Sequence, residues 1–299
     1  MKTIRVGDRF LAVKDYYCAQ GESYIPRNDG KLWLYVNMTD VCPGKCPFCV
    51  NPGRQGGTSA FDIHHFQKTL SMIKTYVKGV SFTGGEPMME PVLLDEAISS
   101  VSKIMGNSVE IDLVTSGVNL ADLLSLSAMD FLDSIHISRH YINDLENRQF
   151  MGSAVPSGTE IKEMIAALSD PAKIVLNCML QKDGISDIDD IADYLDFAAG
   201  LGVCNVSFIG MIEANSYCRE NYINPGEIGF SKDSRFRIWN RFQDHDYCSC
   251  SSGDYFTGSK WIRFYYRSSG MQKPPYARQL VYTADNKLLD GFGGKEIVL

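Results

Sequence analysis

The chain has 299 residues, 44% hydrophobic and 22% charged, with a formal net charge of −7. That length suits one large α/β domain, or a domain with a smaller extension, and the negative balance argues against nucleic acid as a partner. No apolar run approaches a bilayer span, and Lys2, Arg5, Asp8, Arg9, Lys14 and Asp15 leave no apolar core for an N-terminal secretory signal, so a cytoplasmic protein with no membrane partner is expected.

Residues 1–30 read as a short strand-rich lead-in. From residue 31 to about 214 strands and helices alternate. Strands are predicted at Lys31–Thr39, Gly79–Thr83, Glu110–Thr115, Ser134–Ser138, Lys173–Leu180 and Asn205–Ile212. Between them, helices are predicted at Phe61–Tyr76, Pro91–Gly106, Leu120–Ser127, Gly158–Asp170 and Asp187–Gly202, with Asp187 as a cap. Six β-α steps of this kind imply a parallel sheet. Right-handed crossovers can curl it into a partial (β/α)6 TIM-like barrel; spacing alone leaves a flat doubly wound sheet open. After residue 215 the alternation stops. Residues 215–299 are rich in aromatic and turn residues and read as a C-terminal extension that closes one end or edge of the sheet and contacts substrate.

Nine cysteines, an odd count, sit poorly with disulfides in a reducing compartment: Cys18, Cys42, Cys46, Cys49, Cys178, Cys204, Cys218, Cys248 and Cys250. Three of them fall in Cys42-Pro-Gly-Lys-Cys46-Pro-Phe-Cys49, just after the first predicted barrel strand. Electron-carrier clusters are normally fully ligated, usually by four cysteines. Three thiolates on one short loop can hold three irons of a four-iron cluster and leave the fourth open to a substrate. A zinc site completed by His64 or His65 is the non-catalytic alternative. After the second strand comes Thr83-Gly84-Gly85-Glu86-Pro87. Two glycines admit a ligand close to the backbone, whose N–H and C=O groups can bind an amine or a carboxylate. A turn leading into a proline-started helix explains the same residues without a ligand. Both segments fall at the carboxyl ends of neighbouring strands, where parallel α/β folds gather ligands.

The pairing of Cys-x3-Cys-x2-Cys with Gly-Gly-Glu-Pro, in this order and setting, resembles the radical S-adenosylmethionine (radical SAM) superfamily, near its molybdenum-cofactor GTP cyclase and peptide-maturase branch. The resemblance implies an oxygen-sensitive enzyme. It implies a [4Fe-4S] cluster ligated by Cys42, Cys46 and Cys49, whose open iron chelates S-adenosylmethionine. One-electron cleavage then yields a 5′-deoxyadenosyl radical that abstracts hydrogen from substrate. A flavodoxin- or ferredoxin-like electron donor is implied as partner. By the same resemblance the Phe48 backbone meets the adenine, and Gly84, Gly85 and Glu86, followed by Pro87, hold the methionine amine. Ser138 stands where a ribose or carboxylate contact is expected. Asn177 matches a polar position on the fifth strand, and Phe208 stands in a partial adenine-binding pattern. Arg139 is positioned to pair with a carboxylate. Thr115, ending the third strand, borders the ligand or simply turns the chain. Alternation puts His136, Ser138 and His140 on one face, with Ile135 and Ile137 on the other.

Residues 231–299 carry 11 Lys+Arg against 7 Asp+Glu. Lys260, Arg263, Arg267, Lys273 and Arg278 therefore suggest an anionic small-molecule substrate such as a nucleotide or sugar phosphate. Modification of a ribosomal peptide is the alternative. Cys218, Cys248 and Cys250, with His245 as a further donor, are candidates for a second iron–sulfur cluster, although Cys248-Ser-Cys250 is tight for two ligands of one cluster. GTP cyclases end in two glycines that enter the active site, a role that Gly293-Gly294, followed by Lys295–Leu299, does not match.

Overall fold

A computed structural model of the chain describes residues 1–14, 30–50, 60–224, 228–230, 233–245, 248–268 and 275–299; for 239–251, 267 and 268 it describes the backbone alone. Strands β1 (Lys2–Val6) and β2 (Arg9–Val13) pair as an antiparallel hairpin. The alternating region then runs β3 (Leu32–Asn37), α1 (Ile63–Ile73), β4 (Val77–Thr83), α2 (Pro91–Met105), β5 (Glu110–Thr115), α3 (Leu120–Leu123), β6 (Ser134–Ser138), α4 (Asp144–Met151), α5 (Gly158–Ala167), β7 (Ile174–Leu180), α6 (Ile188–Leu201) and β8 (Asn205–Gly210). Helix α7 (Ser216–Asn221) precedes β9 (Phe236–His245), β10 (Cys248–Phe256), β11 (Trp261–Ser268), β12 (Gln279–Tyr282), β13 (Leu288–Leu289) and β14 (Glu296–Ile297).

The helices start where the sequence supplies caps. Asp62 accepts from the His64 and His65 N–H groups at the head of α1, and Phe66, Thr69, Leu70 and Ile73 recur on its buried face. Ser157 with Glu160, and Asp187 with Asp190, form capping boxes for α5 and α6. Gly202 ends α6 at φ +93°, a left-handed conformation that favours glycine. Helix α3 is shorter than its apolar spacing predicts, because Asp95 of α2 accepts from the Ala128 N–H at 2.7 Å and from Ser127, pulling the chain out of the helix. Helix α4 was hidden by its polarity: it buries only Asn147 and Met151, although Asn143 caps it through the Leu145 and Glu146 N–H groups.

Twelve strands form one sheet in the order β14–β13–β12–β3–β4–β5–β6–β7–β8–β11–β10–β9. From β12 to β11 every pairing is parallel. The extension thus adds strands to both edges of the six-stranded core rather than closing one. Among the described residues β14 and β9 do not pair, so the barrel stays open. Alternation sorts the faces. Leu34, Val36, Val80, Phe82, Ile135, Ile137, Leu176, Val206 and Phe208 join the apolar core under the helices, each burial contributing roughly 1.5–3 kcal/mol. Trp33 lies on the opposite, concave face, over Gly79, where an added Cβ would sit 2.3 Å from the indole. Ser81, Asp112, Ser134, His136, Asn177 and Ser207 share that concave face by register.

Candidate active site

The cysteine loop leaves β3 and is fastened to three other parts of the fold. Gly85 donates its N–H to the Thr39 carbonyl at 2.7 Å, and Glu86 to the Val41 carbonyl at 2.8 Å. Lys45 donates to the Met151 carbonyl at the end of α4 at 2.8 Å. Asn215, the cap of α7, donates Nδ2–H to the Pro47 carbonyl at 2.9 Å. The Cys218 thiol on α7 reaches the Phe48 carbonyl at 3.7 Å. The loop is therefore held from the ends of β4, α4 and β8 before any ligand arrives.

The glycines serve this fastening. A Cβ on Gly85 would lie 2.3 Å from the Val41 oxygen, and one on Gly84, at φ +125°, would lie 2.9 Å from the Thr39 oxygen. The expected room for a ligand is filled by the cysteine loop itself. Because the Gly85 and Glu86 N–H groups are spent on that loop, they do not bind a carboxylate. Among the described residues, the Gly84 and Gly85 carbonyls accept no hydrogen bond, which leaves them available to an amine. Pro87 starts a single tight turn capped by Glu86.

Glu86 is buried. Its carboxylate accepts from Met88 N at 3.0 Å, Thr115 Oγ1 at 2.6 Å, Ser116 N at 2.6 Å and Ser116 Oγ. Four donors fill a carboxylate's lone pairs, so Glu86 and Thr115 brace β4 against β5 and are not free for a ligand. Burial pushes the Glu86 carboxyl up, and the bonds from Ser116, Thr115 and Met88 pull it back.

Cys42, Cys46 and Cys49 are free thiols. A Cβ on Gly44 would sit 3.1 Å from the Cys42 sulfur and 4.0 Å from that of Cys46, so the glycine keeps the space between them open. Burial, then the neighbouring Cys49 and Cys42, pushes the Cys46 thiol up to about 12. Burial also raises Cys42, with Glu86 and Cys49 adding to it. Bare thiolates are thus penalised here, and iron would supply the compensating positive charge. The donor set fits a cluster with three cysteine ligands. It does not fit the zinc alternative: His65 and His64 lie exposed on α1, with His65 Nδ1 at 2.8 Å from the Tyr282 hydroxyl.

Ser138 and Asn177 are register partners at the mouth of the concave face. Asn177 Oδ1 lies 3.0 Å from His136 Nδ1. Phe48 meets His140 edge-on at 5.0 Å and Phe150 at 5.7 Å, forming an aromatic wall beside the loop. His140 accepts the Met179 N–H at Nδ1, and burial pulls it down to about 3.

Two expected contacts lie on the wrong face. Arg139 is fully buried under the helices, paired with Asp144 at 2.6 Å, bonded to the Ile142 carbonyl and stacked on Phe197 at 4.8 Å. It does pair with a carboxylate, but one of the protein's own. Phe208 packs on Tyr194 of α6 at 5.6 Å, because strand alternation turns it from the concave face. Three cations of the extension do not face the cysteine loop. Lys260 and Arg263 start β11, and Arg278 precedes β12, at the strand ends opposite the cysteine loop. Lys260 bonds the Ala199 carbonyl, Arg263 pairs with Asp254 at 2.8 Å and Arg278 meets Tyr276. Lys273 and the Arg267 side chain lie outside the described residues, as do the side chains of His245, Cys248 and Cys250. Residues that sequence reading missed are Asn215 and the end of α4. Only Asn215 carried a signal, as a helix cap.

Over residues 36–198, more than half of the chain, the sequence matches the family model described as the radical SAM superfamily. The chain belongs to the radical SAM superfamily. It is accordingly an enzyme of a family that works with an iron–sulfur cluster and S-adenosylmethionine. It is 30% identical over 177 residues to GTP 3′,8-cyclase of Aquifex aeolicus (strain VF5), covering 57% of this chain and 53% of that protein. It is 25% identical over 209 residues to GTP 3′,8-cyclase of Clostridium botulinum (strain Okra / Type B1), covering 66% and 62%. The chain thus spans between about half and three fifths of the length of these relatives. Among solved structures, Streptococcus suis SuiB bound to S-adenosylmethionine shares the fold, with a TM-score of 0.59 at 15% identity over 89% of this chain and 62% of that one. No described helix is long and apolar enough to cross a membrane.

Proposed function

We propose that residues 31–214 form the catalytic core, with Cys42, Cys46 and Cys49 ligating a [4Fe-4S] cluster. The observation that carries this reading is the fastening of the three-thiol loop to Gly85, beside two carbonyls that accept no hydrogen bond among the described residues. A cluster held by these three cysteines would supply the one-electron chemistry that cleaves S-adenosylmethionine and generates a hydrogen-abstracting 5′-deoxyadenosyl radical. The chain's residues then have separable tasks. Gly84 and Gly85 carbonyls accept the methionine amine. Ser138 and Asn177 meet its carboxylate or ribose, and the Phe48 backbone meets the adenine. The Phe48, His140 and Phe150 wall excludes water, so that one C–H bond faces the radical carbon. A flavodoxin- or ferredoxin-like protein supplies the electron. The lead-in (1–30) and the extension (215–299) flank the core.

For the substrate, the similarity to GTP 3′,8-cyclases favours a nucleotide-like small molecule. Among the described residues, Lys260, Arg263 and Arg278 add no support to that choice, and the likeness to SuiB is one of fold. Purified anaerobically, the protein is expected to carry about four irons and four sulfides on this loop. Stoichiometric zinc without sulfide would overturn the reading. Deuterium passing from a labelled nucleotide into 5′-deoxyadenosine supports the substrate class; deuterium passing only from a peptide rejects it.

A further inference from the structure

A line of hydrogen bonds crosses the concave face from β3 to β7. Trp33 donates Nε1–H to Ser81 Oγ at 2.7 Å. Ser81 and Ser134 both donate to Asp112, at 3.4 Å and 2.8 Å. Ser134 Oγ lies 2.9 Å from His136 Nε2, and His136 Nδ1 lies 3.0 Å from Asn177 Oδ1. His136 and Asn177 are buried, at 7% and 6% exposure.

With the Asn177 amide oxygen turned to the ring and the Ser134 hydroxyl turned to Asp112, as these contacts are assigned, the protons along this line can be counted. A serine hydroxyl has one hydrogen, and that of Ser134 goes to Asp112. Toward His136 the Ser134 oxygen can only accept, so Nε2 carries a proton. The Asn177 carboxamide oxygen can only accept as well, so Nδ1 carries another. A ring donating from both nitrogens is an imidazolium, and Asp112 across Ser134 is its counter-charge. Two residues beyond the same strand, His140 is the opposite case, an acceptor held neutral by burial.

We propose that His136 is a positioning residue: as an imidazolium it pins the Asn177 oxygen and turns the Asn177 NH2 outward as a donor to the ligand. This rests on the reading of Asn177 as a contact to S-adenosylmethionine. When His136 loses its Nδ1 proton, that nitrogen becomes an acceptor. The amide then turns, its NH2 serves the ring, and its oxygen faces the ligand's oxygen. Affinity for S-adenosylmethionine therefore falls as pH rises through the His136 titration. Among the described residues, the charged groups placed to bear on that titration include Asp112 beside the ring and Glu110 below it on β5, Glu86 at the end of β4, and the Arg263–Asp254 pair on β11 and β10. Ser81 on β4 and Trp33 on β3, further along the sheet, and Val175 and Asn177 on the adjacent β7, are neutral.

The test is equilibrium binding of S-adenosylmethionine to the cluster-loaded enzyme between about pH 6 and about pH 9, from the ordinary histidine value upward. Wild type is expected to lose affinity on the order of tenfold across that range, the worth of one charge-assisted hydrogen bond. H136F is expected to start about tenfold weaker and show no such transition. H136Q, whose amide can still donate, recovers affinity at low pH but also lacks the transition. D112N moves the wild-type midpoint to lower pH. Wild-type affinity and pH profile in H136Q overturn the proposal, and H136Q remains informative if H136F does not fold. N177A separates the two levels. If N177A binds weakly while H136Q behaves as wild type, only the role of His136 falls. If N177A binds as wild type, the ligand reading of Asn177 falls and the proposal with it.

Discussion

Gly85 stands against Val41 so closely that a Cβ on it would meet the Val41 carbonyl oxygen at 2.3 Å. The two residues belong to the two motifs that the sequence sets about 40 positions apart, and their contact makes those motifs one site. G85A must push the cysteine loop off the end of β4. The expected cost is about 1–3 kcal/mol of stability, as for other overpacking changes, together with loss of most bound iron. Thermal melting and iron per chain check it.

The far side of the loop hangs on Asn215. Its Oδ1 caps α7 through the Cys218 N–H at 3.0 Å, while Nδ2 holds the Pro47 carbonyl. N215D keeps the cap and removes the donor to the loop; N215A removes both. N215D is expected to release iron to a chelator faster than wild type with little change in melting. N215A should add a loss of about 1 kcal/mol from the missing cap.

Arg139 is a structural cation, so its removal should unsettle the fold and spare ligand binding. R139M leaves Asp144 without its partner and removes the stacking on Phe197. Asp144 is 44% exposed and water can take over its solvation, so a loss of about 1–3 kcal/mol is expected, from the lost hydrogen bonds and the lost stacking. At a temperature where the variant remains folded, its KM for S-adenosylmethionine should match wild type. A KM raised tenfold would return Arg139 to the binding site.

His140 sets an acid limit. Its pKa falls from 6.5 in the unfolded chain to about 3 in the fold, through burial. A depressed folded pKa means that the unfolded chain binds the proton more readily. The contribution is therefore fully present above pH 6.5 and is lost as pH falls toward 3, by up to about 1.4 kcal/mol per pH unit. H140Q, which keeps an acceptor for the Met179 N–H, should flatten that stretch of the stability curve relative to wild type. Parallel curves for the two proteins would contradict the assignment.

The six core strands were legible because their apolar residues alternate and their ends carry turn residues; β5 and β6 start and stop where the pattern does. The cysteine and glycine motifs were legible because their spacing is rigidly tied to chemistry. Three things were not. Helix α4 is polar on nearly every face, so periodicity passes over it. The faces of Arg139 and Phe208 depend on which parity of each strand turns toward the helices, which a motif match ignores. The reach of the extension to both sheet edges depends on long-range parallel pairing, β12 with β3 and β11 with β8, and no local pattern records it.

The most direct measurement is 5′-deoxyadenosine formed from S-adenosylmethionine and dithionite by the anaerobic, iron-reconstituted protein, compared with C46A and C218A. Wild type and C218A are expected to form it, and C46A to form none above background. Formation at the wild-type rate by C46A, or none by wild type carrying its full complement of iron and sulfide, would contradict the assignment of Cys42, Cys46 and Cys49 as the seat of the chemistry.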